Sequence, residues 1–398
     1  MKFALKPALS TEHGRDLEER LLLFNECVRE VRCRVGPQGV EEIEVEMSEA
    51  RAPDGFEAAV KNIIDDVRLA SRKVVYKTVY ETDVAVQRFN PHPALLENHE
   101  IVPTAPGEFV FQGDFLQVMK TLDRVVGARF HHMGCKEQSY PSFLNANPLF
   151  ALNYYETMSQ HLFFAVSLKG SYDTISAFSQ RHRRTAGQAQ TLEFHEGEYV
   201  QPRVVASPSV CFHCFSALQN RQIARDGAAF TGQNKCHREE RSGVRGLERL
   251  QSFTMREAIF AGDEEFVAQR FAECLEFVKR FFGEDLGLRF RLRSAGDVFF
   301  GQLGALSQIY QSAMDLKYEI QVYLPYADSY LACGSVNNHM STMAKAFDFR
   351  FDDGSEGLPA SMCIGIGYER LALVLMAQKG LLPAQLLPVL RALATTRS

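Results

Sequence analysis

Three separated segments of this chain carry residue types that could hold a nucleotide and activate a carboxylate. The first runs from Cys236-His-Arg-Glu-Glu through Gly246-Leu-Glu-Arg-Leu-Gln-Ser-Phe253 to Met-Arg-Glu257. Read as a hairpin, it puts Cys236, Arg238 and Glu240 on one face of its first strand, and Phe253, Met255 and Glu257 on one face of its second. Two glycines lie in the loop at 242–246. A guanidinium neutralises a phosphate and bonds two of its oxygens at once. The neighbouring glutamate could accept from an adenine amino group, and the phenyl ring could stack on the base. Taken alone, the segment reads first as an exposed hairpin with cross-strand ion pairs.

The second segment, residues 317–325, alternates. Tyr318, Ile320, Val322 and Leu324 face one way; Lys317, Glu319, Gln321 and Tyr323 face the other. It continues into Cys333-Gly-Ser-Val-Asn-Asn-His339. The third is Gly365-Ile-Gly-Tyr-Glu-Arg370, followed by the apolar run LALVLMAQ. Here a strand ends in two glycines, which let a ligand approach the backbone, and a helix begins with Arg370 in its first turn.

Nine cysteines are Cys27, Cys33, Cys135, Cys211, Cys214, Cys236, Cys274, Cys333 and Cys363. The odd number in a long chain points to reduced cytosolic thiols, most of them buried as small hydrophobes. Cys211, Cys214, Cys236 and His237 could form a local structural zinc site, beginning from a CxxC.

The elements that must position these groups divide into two. Residues 1–103 read as a small α+β unit: a strand at the start, a helix over 16–28, two strands joined by the turn GPQG, a helix over 56–71 and a strand in KTVYETDVAVQ. Residues 90–107, with four prolines, read as the linker. Residues 104–398 form the larger unit. It opens with an amphipathic helix over 113–128 and is mostly helical over 150–180. From 234 onward it runs strand, loop, strand, helix, three strands and helix. Arg181-His-Arg-Arg184 reads as a solvated loop or helix end.

Composition bounds the rest. The 398 residues carry 44 Lys and Arg against 49 Asp and Glu, a formal charge of −5, and 46% are hydrophobic. These values exclude a disordered chain, a collagen, a coiled-coil rod and a general nucleic-acid coat protein. No apolar run approaches the ~18 residues of a membrane span. Charge comes too early for a secretory signal. The expectation is a cytoplasmic protein with no membrane partner.

The order of Arg238-x-Glu240, the Gln-Ser-Phe253 strand, the polar strand and Gly365-x-Gly-x-x-Arg370 resembles motifs 2 and 3 of class II aminoacyl-tRNA synthetases, and most nearly the seryl-type catalytic domain. The resemblance runs from about residue 107 to the end. The helix from Gly113 and Pro141 resemble motif 1, the dimer interface of that class. One departure is His237, where the family usually has an aromatic residue before the arginine.

This resemblance implies an α+β fold, an antiparallel sheet flanked by helices, in a homodimer. It also implies ATP as substrate, with Arg238 on the α-phosphate, Glu240 and Phe253 on the adenine and Arg370 on the γ-phosphate. Glu319, Ser335 or Asn337 would place Mg²⁺ or the substrate. The sequence resembles the zinc-dependent branch, which implies Cys211, Glu257 and Cys333 as ligands and makes Cys214 and Cys236 bystanders. That branch holds atypical archaeal seryl enzymes and amino acid:carrier protein ligases. Residues 1–103 hold no helix pair long enough to grip tRNA, as in ordinary seryl enzymes, and are not strongly basic. The resemblance therefore implies a ligase that loads a small amino acid onto a carrier-protein thiol. The alternatives are an atypical tRNA-charging enzyme and a non-catalytic paralogue.

Overall fold

A computed structural model describes residues 1–48, 52–71, 76–183, 191–240, 243–295 and 316–395. The first unit is a three-stranded antiparallel sheet with Gly39–Met47 between Lys2–Leu9 and Val28–Gly36. The helices Thr11–Phe24 and Phe56–Ser71 pack on it. Their apolar residues recur at helical spacing: Leu17 and Leu21 on one, Phe56, Val60, Ile64 and Val67 on the other. They meet Leu5, Val31, Ile43 and Val45 of the sheet in a closed cluster. The turn joining the second and third strands needs Gly39, whose φ is +118° and whose absent Cβ would lie 2.2 Å from the Leu9 carbonyl oxygen.

The larger unit is built on eight strands in the spatial order Thr78–Glu81, Phe290–Ser294, Lys317–Leu324, Ser329–Met340, Ala360–Gly367, Ser252–Gly262, Ala228–His237 and Lys136–Glu137. All neighbours are antiparallel except the last pair. This is the α+β architecture expected from the motifs. The alternation over 317–324 holds: Tyr318, Ile320, Val322 and Leu324 are buried and the residues between them are half-buried.

One face of the sheet carries the main core. Phe115, Val118, Leu122, Val126 and Phe130 of the helix Gly113–His132 pack there. So do the helices Glu264–Val278, Tyr368–Lys379 and Pro383–Thr395. Tyr368–Lys379 is buried almost all round, so its apolarity serves the core. Among the described residues no single helix is long and apolar enough to cross a membrane. The opposite face carries a smaller apolar cluster under the helices Cys211–Leu218 and Thr342–Phe347.

Several local expectations change. The first helix spans Thr11–Phe24, not 16–28, because Ser10 caps it by accepting from the His13 amide. Residues 90–107 are folded: a helix His92–Glu97 leads into the hairpin of Ile101–Ala105 and Glu108–Phe111. Leu95 and Ile101 are driven into the main core, an apolar pull that the proline-rich composition masked. Residues 150–180 hold short helical turns and the strand Phe164–Ala165 before the helix Tyr172–Arg181. Arg181 pairs with Glu198, and Arg184 lies outside the described residues. Thr78–Glu81 is an edge strand of the large sheet. We propose on this packing that the boundary between the units falls between Ser71 and Thr78 rather than at 103.

An ion-pair cluster ties the motif-1-like helix to the sheet. Arg256, buried on the core face, donates to Asp123 at 2.7 Å and to Glu137 at 2.9 Å; Tyr368 also donates to Asp123. Gly127 makes room, since a Cβ there would sit 3.3 Å from the guanidinium carbon. Removing the arginine strands two carboxylates that keep some contact with water. Arg256→Met is expected to cost about 2 kcal/mol, read from denaturant unfolding.

Candidate active site

The face opposite the main core is organised by strand register. Glu257 pairs with Gly365, Gly365 with Ser335, and Ser335 with Glu319, so the four lie in one row across four strands. The next row runs Ile259, Cys363, Asn337 and Lys317. Side chains in both rows point the same way, because strands alternate with period two.

Over these rows sits the start of the helix Cys211–Leu218. The ligand atoms of Cys211, His339 and Cys363 all lie within 4.8 Å of one another. His339 Nε2 is 3.3 Å from Cys363 Sγ. Glu257 borders the cluster. Its Oε1 accepts from the Val210 amide at 3.1 Å and from Ser209 Oγ at 3.0 Å, while its buried Oε2 finds no hydrogen-bond partner. Ser209 Oγ also lies 3.2 Å from Cys211 Sγ. Asn337 Nδ2 donates to Ser335 Oγ at 3.0 Å and approaches Cys363 Sγ at 3.6 Å.

Burial raises the Glu257 acid against the pull of Ser209, the two thiols and the Val210 amide. For Cys363, the contact with Cys211 and then burial push the thiol far up. The Cys211 thiol is helped by Cys363, but burial and the Glu257 charge outweigh that and raise it. Without a cation, then, the cluster favours protonated groups. Two thiols, an imidazole and an orphaned carboxylate oxygen form a donor set that fits a tetrahedral zinc ion, whose charge would restore the thiolates.

The sequence expectation placed Cys333 here, and the structure puts it elsewhere. Ile320 pairs with Gly334 and Gln321 with Ala332, so Cys333 is the extra residue of a β-bulge. It turns into the main core with Ile320, Val336 and Ile364, its thiol pushed up to about 12 by burial. Cys363 stands where Cys333 was expected. The signal for it was present, since Cys363 lies two residues before Gly365 and so faces the same side. Cys214 and Cys236 are buried outside the cluster, and His237 spends its amide on the Ser207 carbonyl. Cys211 and Glu257 are brought together.

The nucleotide-type residues gather alongside. The first hairpin strand stops at His237, but the Arg238 amide still bonds the Gln251 carbonyl. The Arg238 guanidinium lies 5.4 Å over the Phe253 ring and donates to the Pro208 carbonyl at 3.1 Å. Arg370 donates to the carbonyls of Glu248 at 2.6 Å and Ala332 at 2.9 Å, and burial followed by the nearby Arg249 charge lowers its basicity. Glu240 is buried and accepts from Arg249 Nε at 2.6 Å. Glu319 accepts from Gln321 at 2.9 Å and lies 3.8 Å from Lys317 Nζ. Glu369, which the sequence reading passed over, is 1% exposed and accepts from the Thr254 amide and hydroxyl, which joins the hairpin to the helix carrying Arg370.

Residues 208–379 match the family described as tRNA synthetase class II core domain (G, H, P, S and T). The chain is 32% identical over 179 residues to amino acid–acyl-carrier-protein ligase 2 of Bradyrhizobium diazoefficiens, covering 44% of this chain and 52% of that protein. It is 30% identical over 156 residues to the type-2 serine–tRNA ligase of Methanothrix thermoacetophila, covering 39% of this chain and 30% of that protein. The chain thus spans about half the length, or less, of these relatives. A solved complex of Methanopyrus kandleri seryl-tRNA synthetase with an A. aeolicus tRNASec superposes with a TM-score of 0.67 at 16% identity, covering 96% of this chain and 75% of that one.

Metal analysis separates the two cysteines. About one zinc per chain is expected in the wild type, kept in Cys333→Ala and lost in Cys363→Ala. Gly365→Ala would bring a Cβ to 3.0 Å from Met255 Sδ and 3.2 Å from Glu257 Cγ. It is expected to lower zinc content with little change in melting temperature.

Proposed function

We propose that this chain, whose residues 208–379 are a class II tRNA synthetase core, joins an amino acid to AMP and passes the acyl group to the phosphopantetheine thiol of a carrier protein. The observation that carries this reading is the convergence of Cys211, Cys363, His339 and Glu257 on the sheet face that also holds Phe253 with Arg238 over its ring, while Arg370 bonds the Glu248 carbonyl of the same hairpin. The name of the Bradyrhizobium relative supports the acceptor.

In the first step an oxygen of the amino acid carboxylate attacks the α-phosphorus of ATP, and pyrophosphate leaves. Arg238 holds the α-phosphate and stabilises the charge that builds on it. Phe253 stacks on the adenine, Glu240 accepts from its amino group, and Arg370 holds the γ-phosphate. Cys211 and Cys363, with Glu257 or His339, would hold zinc, which supplies a Lewis-acid anchor for the neutral amine of the substrate. Ser335 and Asn337 border the thiols and line the amino acid side; Glu319 serves Mg²⁺. Held in place, the carboxylate needs no protein nucleophile. In the second step the acceptor thiolate attacks the acyl carbon and AMP leaves. The homodimer belongs to the same proposal.

A second reading has its own support. The seryl-tRNA synthetase that superposes over nearly the whole chain was solved with tRNA. On that reading the first step is unchanged and the acceptor is a tRNA hydroxyl.

ATP–pyrophosphate exchange against a panel of amino acids, followed by transfer of labelled amino acid, decides among these. Exchange is expected with one or a few small amino acids, and label should appear on a phosphopantetheinylated carrier protein. Label on tRNA instead selects the second reading; no exchange with any amino acid removes both. Arg238→Ala is expected to slow exchange about 10²- to 10³-fold with zinc content unchanged.

A further inference from the structure

The helix Thr11–Phe24 of the N-terminal unit reaches the hairpin that carries Arg238 and Glu240. Arg249 stands between the two units. Its Nε donates to Glu240 Oε2 at 2.6 Å, and its Nη2 donates to Glu19 Oε1. The three side chains differ in exposure: Glu240 8%, Arg249 20% and Glu19 39%. The chain of charges therefore runs from the open surface of one unit into the nucleotide side of the other.

The surroundings explain why two carboxylates are needed. Arg249 lies close enough to Arg370 for the like charges to oppose one another, and Arg238 adds to the same field. Glu240 alone faces a crowd of guanidiniums. Glu18, one residue before Glu19, lies in the field of Arg245 and Arg249 as well. Arg245 and Arg249 sit at the two ends of one tight turn, closed by the Arg249 amide on the Arg245 carbonyl. Two successive acids of one helix thus meet two arginines of one loop.

We infer that the N-terminal unit completes the nucleotide site in cis: Glu19 fixes Arg249, and through it the Glu240 carboxylate that meets the adenine. Glu19 and Arg249 are positioning residues. The inference rests on the adenylation reading above, and it gives residues 1–71 a role that does not depend on which acceptor is used.

The test uses the full chain. Glu19→Gln is isosteric and half-exposed, so folding is expected to survive, with a melting temperature near that of the wild type. In pyrophosphate exchange its KM for ATP should rise about fivefold, as for loss of a half-exposed ion pair, with kcat and the KM values for amino acid and pyrophosphate unchanged. Glu19→Asp should recover part of the loss. Arg249→Lys should raise the ATP KM at least as much, and the double variant should be no worse than Arg249→Lys alone. A role through bulk charge predicts the opposite sign: removing an acid would lower KM for ATP and pyrophosphate together. That result, or an unchanged ATP KM in Glu19→Gln, overturns the inference while leaving adenylation intact. Calorimetry with ATP and the wild type distinguishes the deeper failure, since no binding there overturns the adenylation reading and this inference with it.

Discussion

The register between Ser252–Gly262 and Ala360–Gly367 is the constraint on which the rest of the molecule depends. With Glu257 opposite Gly365, Glu257 and Cys363 share the sheet face under the helix Cys211–Leu218, while Arg256 and Ile366 share the main-core face. A slip of one residue would exchange the two sets. It would turn Glu257 and Cys363 toward the main core and the Arg256 side chain toward the helix Cys211–Leu218. The register is fixed from both sides. Ala258, Phe260, Ile364 and Ile366 are buried below, and Glu369 clasps Thr254 at the strand end. The apolar core, rather than the polar groups themselves, thus decides which polar groups meet.

Much of this was legible in the sequence, for physical reasons that differ by element. The alternation over 317–324 states which side chains go inward, since a strand with one apolar face has a single stable way to lie on a core. The two glycines before Arg370 mark where a backbone must be approached closely. The helices of the first unit repeat their apolar residues every three or four positions, and Leu17, Leu21, Phe56, Val60, Ile64 and Val67 are buried in the core while Leu69 stays exposed. What was not legible depends on long-range packing. Proline-rich composition hid a helix and a hairpin at 92–111, because two buried residues, Leu95 and Ile101, outweigh many loop-like ones. His339 and Cys363 meet only once two strands are paired. Arg249 reads as one more surface arginine until Glu19, 230 residues away, is placed beside it.

The arginines of the larger unit differ in their partners. On the core side, Arg256 is matched by two carboxylates and a tyrosine hydroxyl, so a buried charge is tolerated by full pairing. Arg238 and Arg370 also bond backbone carbonyls, Arg238 that of Pro208 and Arg370 those of Glu248 and Ala332.

The strand Ser329–Met340 contains two dislocations. Cys333 is left over where the strand slips against Lys317–Leu324, and His339 where it slips against Ala360–Gly367. The first surplus residue is swallowed by the interior and the second is delivered to the thiols. Odd and even positions therefore keep one meaning only over the stretch between them. Counting along this strand from a motif residue tracks a face faithfully as far as the next dislocation and then loses phase. Relatives that place or omit a slip differently can present different chemistry from nearly the same letters.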